Sequence, residues 1–129
     1  MSYYTYARKL TNDEQTLVSD GYPYINTNIL APGGKLNPHS HHSHNTHYVI
    51  SGLLSISKMN FKHVYHFEAG HEAKVTPGLT YHGVAGPEGC TFIEGHRRLS
   101  FDTAERFVAR GALMRVDEGT PKSFPARRY

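Results

Sequence analysis

The chain has 129 residues, 14 Lys+Arg against 11 Asp+Glu, and a formal net charge of +3. A chain near this size can bury roughly two-thirds of its unfolded surface, so a single domain over residues 1–129 with its own core is expected, and a disordered or coiled-coil chain is excluded. The one cysteine, Cys90, excludes an intrachain disulfide, and neither an apolar secretory core near the start nor a run of about 18 apolar residues is present, so a cytoplasmic location without membrane insertion is the expectation.

In chain order, residues 1–20 are polar, with turns at Asn12-Asp13 and Asp20-Gly21. Tyr24–Leu30 (YINTNIL) alternates in part and predicts a strand, and Ala31-Pro32-Gly33-Gly34 is a strong turn signal. A histidine-rich stretch then runs into Tyr48-Val49-Ile50, Ser51-Gly52 turns, and Leu53–Ser57 returns as a strand. Residues 61–68 alternate, with Phe61, His63, Tyr65 and Phe67 on one face. His71–Val75, Tyr81–Val84 and Thr91–Glu94 are further short strands, separated by Pro77-Gly78 and by the Gly86–Gly89 turn. Only 102–110 (DTAERFVAR) reads as a helix, capped by Asp102 or Thr103 and followed by Gly111. Short strands at close spacing with Gly/Pro turns predict an all-β sandwich or barrel. The basic end, with Lys122, Arg127 and Arg128, reads as a solvated terminus; no basic helix or stacking motif accompanies it, so nucleic-acid binding is not expected.

Five of the ten histidines fall in residues 39–47: His39, His41, His42, His44 and His47. Neutral imidazole is a common ligand for zinc, copper, iron and nickel, so this density points to one divalent ion per chain. If the segment is extended, His39, His41, Asn45, His47 and Val49 share one face, and His42 and His44 lie on the other. Two imidazoles two residues apart can reach one ion, and a third ligand must come from another strand. His82, delivered by the Pro77-Gly78 turn, is the expected third. His42 and His44 are expected in solvent. His63, His66, His71 and His96 have no partner pattern and read as surface or satisfied core residues.

The spacing resembles the cupin superfamily. Gly33-Gly34, His39-Ser-His41, Asn45 and Gly52 follow the first cupin motif over about 33–52. Gly70, Pro77-Gly78 and His82 follow the second over about 70–86. The resemblance implies a double-stranded β-helix, or jelly-roll barrel, with a short C-terminal helix and a metal in the barrel mouth. It maps metal binding onto His39, His41 and His82. It also places Asn45 where the family usually has Glu, so Asn45 becomes a weak amide ligand or no ligand, and His47, on the same face, is the residue that can take over. It further suggests a homodimer.

A divalent ion with three imidazoles and an amide keeps a formal charge of about +2, against about +1 with a Glu ligand, which favours a small anionic metabolite. The expected function is therefore that of a metal-dependent small-molecule enzyme. An Fe2+ dioxygenase is favoured over a Lewis-acid isomerase or lyase using Zn2+, Mn2+ or Ni2+, with His47 and Tyr81 as acid–base groups. The competing expectation is a non-catalytic metal- or small-molecule-binding module.

Overall fold

The computed structural model describes residues 2–117. Eight strands and two helices follow in the order β1 (Ser2–Tyr6), α1 (Asn12–Ser19), β2 (Tyr24–Leu30), β3 (Lys35–His39), β4 (Asn45–Lys58), β5 (Val64–Glu68), β6 (Glu72–Val75), β7 (Tyr81–His96), α2 (Phe101–Ala109) and β8 (Leu113–Asp117). The basic end of the chain lies outside the described residues. No helix among them is long and apolar enough to cross a membrane.

The two long strands, β4 and β7, organise the barrel. They pair antiparallel along their length, from Asn45↔His96 to Lys58↔Tyr81. At the first end β2 lies on β7 and β6 on β4; at the second end β3 lies on β7 and β5 on β4. Each long strand thus serves two layers, which is the double-sheet arrangement expected from the motifs. The crossover from one layer to the other is a break in register: β7 runs from Cys90 to Ala85 while β4 advances only from Gly52 to Leu54. Gly52 has φ 78° and Gly89 has φ 80°, and a Cβ on Gly52 would run into the Gly89 carbonyl. The closing glycine of the first motif is therefore required by backbone shape.

The same break switches which residues of β7 face inward. Tyr81 and Ala85 point into the barrel before it, and Cys90 and Phe92 after it, all packed with Val49, Leu54, Ile56, Ala73 and Val75. On the outer face Ile93 joins a second core with Tyr6, Leu17, Ile25, Phe107 and Leu113, beneath the helices and the β1–β8 ribbon.

The turns expected at Ser51-Gly52 and Gly86–Gly89 lie inside the continuous strands β4 and β7, and three further sequence expectations are corrected. Residues 12–19 form a helix where turns were expected; Thr11 and Glu14 make a capping box, and Glu14, fully buried, accepts from Arg8 at 2.7 and 2.6 Å. The helix near the C-terminus is capped by Ser100 rather than Asp102 or Thr103. The histidine segment is not one extended strand: β3 ends at His39, β4 begins at Asn45, and a loop carries His41, His42 and His44 between them.

Candidate metal centre and ligand cavity

Inside the barrel mouth, imidazoles from four places in the chain face one another. His39 comes from the end of β3, His41 from the following loop, His47 from β4 and His96 from the end of β7. The His39 and His41 ring centroids are 5.0 Å apart, and those of His41 and His96 are 4.7 Å apart. His47 is 2 % exposed, with its ring 5.3 Å from that of Phe92.

Tyr81 sits at the meeting point of three of the expected ligands. Its hydroxyl is 3.0 Å from His39 Nε2, 3.3 Å from Asn45 Oδ1 and 3.4 Å from His47 Nε2. His39 Nδ1 lies 2.6 Å from the Asn37 carbonyl oxygen. A carbonyl only accepts, so Nδ1 carries a hydrogen, and the Tyr81 hydroxyl donates to Asn45 Oδ1, which can likewise only accept. Burial, and then the Glu94 charge, push the Tyr81 phenol above its ordinary value, so it keeps its proton. Asn45, 1 % exposed, is held from behind by donating to the Ser43 carbonyl at 3.3 Å.

His82 does not join this group. Tyr81 and Ala85 are the buried, inward members of that part of β7, and the strand's alternation turns His82, opposite Ser57 of β4, to the other face. The Pro77-Gly78 turn therefore delivers a phenol where an imidazole was expected. His42 and His44 are exposed, as read from the sequence.

The sequence reading missed Glu94, His96 and Arg106. Glu94 is 6 % exposed. Arg106 of α2 donates to its Oε1 at 2.8 Å and Oε2 at 2.6 Å, His96 Nε2 donates to Oε2 at 2.6 Å, and Asn28 Nδ2 donates to Oε1 at 3.3 Å. Burial pushes the carboxyl up, but the hydrogen bonds from Arg106 and His96 outweigh it and hold the group well below its ordinary value. The available signal was the alternation of Phe92, Glu94 and His96 on β7, which puts all three on the inward face. Arg97 and Arg98, the two residues that follow His96, are exposed.

His41, Glu94 and His96 each offer a donor atom within 4.8 Å of the others, a set able to hold a metal ion. Burial, and next the neighbouring His96, lower His41 from 6.5 to about 4; burial alone is the leading cause for His47, also lowered to about 4. Both rings are therefore neutral at pH 7, the form that binds metals. Glu94 stays ionised, and two imidazoles with a carboxylate fit a divalent ion in type and charge; because Arg106, His96 and Asn28 together place four hydrogen bonds on the two oxygens, one of these donors must give way to an ion.

Two cavities open on this centre. One, of about 610 Å³, lies between β2, β3 and α2 with His47, Phe92 and Glu94 as its floor. The other, of about 580 Å³, is lined by Ser40, His42, His96 and Arg98. His41, Asp102 and Thr103 line both, so the His41 ring is a common wall.

The chain matches no protein-family model and no curated protein. Among solved structures it is similar to an uncharacterized conserved protein with a double-stranded beta-helix domain from Klebsiella pneumoniae, at 30% identity over 55% of this chain and 63% of that one, with a TM-score of 0.51. It is also similar to an RmlC-like cupin from Shewanella frigidimarina, at 19% identity over 60% and 68% of the two chains, TM-score 0.54. A third likeness is to a Cupin 2 conserved barrel domain protein from Salinispora arenicola, at 20% identity over 67% and 70%, TM-score 0.50. The chain thus spans just under two-thirds of the first of these neighbours. Two layers sharing two long strands, a glycine-forced crossover between them and these likenesses together show that this chain has the double-stranded β-helix fold of cupins.

Proposed function

We propose that this cupin-fold protein is a metal-dependent enzyme acting on a compact anionic metabolite, with the ion held by His41, His96 and Glu94. The observation that carries this reading is the convergence of two imidazoles and one carboxylate within 4.8 Å, with His41 between the two cavities, Glu94 facing one and His96 the other. Two histidines and one carboxylate with open positions is the ligand set of non-haem iron(II) oxygenases, which supports iron over zinc, manganese or nickel. Such an ion would supply dioxygen activation, or, if redox-inert, polarisation of a carbonyl.

The chain's own groups do the rest. Glu94 removes one charge from the centre and Arg106 restores it, so the net local charge with a divalent ion is about +2, and an anion is favoured in the cavity. His39 and His47 line the larger cavity, and the buried Tyr81 hydroxyl behind them connects the two imidazoles, a set that can hold and move a proton between the rings.

The test is anaerobic calorimetric titration with Fe(II), Zn(II), Mn(II) and Ni(II), with metal content read by elemental analysis. One ion per chain is expected, with affinity falling by at least about tenfold in His41→Ala and in His96→Gln. Unchanged affinity in both variants, with loss in His39→Ala, would move the ion to the Tyr81 group and overturn the assignment. A second reading, a non-catalytic small-molecule binder, is favoured by one observation: Arg106 already holds both oxygens of Glu94. Failure of every ion to bind would select it.

A further inference from the structure

We infer that the cavity between β2, β3 and α2 contains a carboxylate subsite built on Arg110, and that its ligand is a small carboxylic acid with an apolar body. This names the ligand class for the cavity already described and rests on the metal-dependent reading for the reacting end only.

Two arginines of α2 and its cap line this cavity, and they are in different states. Arg106 has both terminal nitrogens on Glu94. Arg110, at the C-cap, donates through Nη1 to Asn28 Oδ1 at 2.7 Å. Asn28 is 8 % exposed, and its Oδ1 also accepts from Asn26 at 3.0 Å, so the oxygen that holds Arg110 is fixed in the barrel wall. A guanidinium has five N–H donors in a rigid planar fork; one bond orients it and the others remain for a ligand. Such a fork matches the two oxygens of a carboxylate. Lys35 lines the same cavity and adds a second positive charge. The acids there are Glu94, already paired, and Asp102, at the other end of α2, about 12 Å along the helix axis. The end of the cavity at Arg110 is therefore electropositive.

The surfaces around this fork are apolar. Leu30 and Leu36, packed against the barrel core, line the cavity with Phe92, and Ile29 stands 79 % exposed at its rim. Phe92 also touches the His47 ring, at 5.3 Å between centroids. A carboxylate on Arg110 thus lays an apolar body along Phe92, with its far end at His47. The volume of about 610 Å³ falls within the range of small-molecule sites.

The experiment is calorimetric titration of the full chain, without added metal, with benzoate, benzamide and phenyl phosphate. Benzoate is expected to bind saturably and benzamide at least about tenfold more weakly. Arg110→Gln, which keeps a donor for Asn28, should weaken benzoate about tenfold with an unchanged thermal midpoint and leave benzamide unaffected, and Arg110→Lys should recover part of the loss. Equal benzoate affinity in the wild type and Arg110→Gln overturns the subsite, as does absence of binding. Preference for phenyl phosphate overturns the carboxylate class. Because no metal is present, a failed metal centre leaves the expected result intact. Benzoate binding that appears only after Fe(II) is added, and ignores Arg110, overturns the subsite while supporting the metal centre.

Discussion

His47 is an imidazole taken almost wholly out of water, with Nδ1 buried and without a hydrogen-bond partner among the described residues. Burial outweighs the opposing pull of Glu94 and lowers the ring from 6.5 to about 4. The unfolded chain takes up this proton near pH 6.5 and the native chain resists it until about pH 4. Between those values the unfolded state binds more protons, so stability falls as pH falls. For His47 the loss reaches up to ~3 kcal/mol at the lower limit. His41, also lowered to about 4, acts in the same window. Glu94 is lowered, so its contribution is present above its unfolded value of 4.5 and disappears as pH drops through the folded one. All three act in one direction. The metal-free protein should therefore lose thermal midpoint steadily from pH 6.5 to pH 4 in scanning calorimetry, and His47→Gln should flatten that slope. A flat wild-type profile across the window would mean that the ring is hydrated in solution.

At the scale of elements, α2 is the roof of the larger cavity and Arg106 is the pin that ties it to β7. Arg106→Gln leaves Glu94 buried with only His96 and Asn28 as partners. The Arg106 side chain is 37 % exposed, so water screens part of the pair, and a cost of ~2 kcal/mol is expected, below that of a fully buried ion pair. The same change uncovers a carboxylate for a cation. Arg106→Gln should therefore lower the thermal midpoint of the metal-free protein and raise its affinity for a divalent ion. Parallel movement of the two would show that Arg106 supports the centre instead of competing for it. This opposition also explains what the sequence could reveal. His39, His41, Asn45 and Gly52 lie close together, and local spacing locates them. Glu94 and Arg106 meet only because α2 folds back over β7, a contact between elements that no spacing encodes. Tyr81 against His82 turned on strand phase, and that phase reverses at the Gly86–Gly89 irregularity, whose length is absorbed by a register shift. The helix at 12–19 was legible after all: Thr11 and Glu14 at capping-box spacing carry its start, in a segment whose polarity pointed to turns.

Across the whole molecule, the two ends of the described chain hold each other. β1 and β8 pair antiparallel from Ser2↔Asp117 to Tyr6↔Leu113, outside the barrel sheet. Tyr6 and Leu113 are 6 % and 1 % exposed and share a core with Phe107 of α2 and Ile93 of β7. The roof of the cavity is thus anchored by a ribbon that contributes nothing to the barrel's own ladder. Deleting residues 1–6 removes the strand that pairs with β8 and partly uncovers Leu113 and Val116, whose full burial is worth ~1.5–3 kcal/mol each. The barrel keeps β4, β7 and the strands that flank them. Loosening should therefore be local. Hydrogen exchange is expected to rise by at least about tenfold at the amides of 101–109 and 113–117 and to change little along β4 and β7. Benzoate affinity should fall with it, since Arg110 loses its fixed place beside Asn28. A uniform rise in exchange over all strands would show that the ribbon and the barrel fold as one cooperative unit, and unchanged exchange in α2 would show that the helix is held by Glu94 and Phe107 alone.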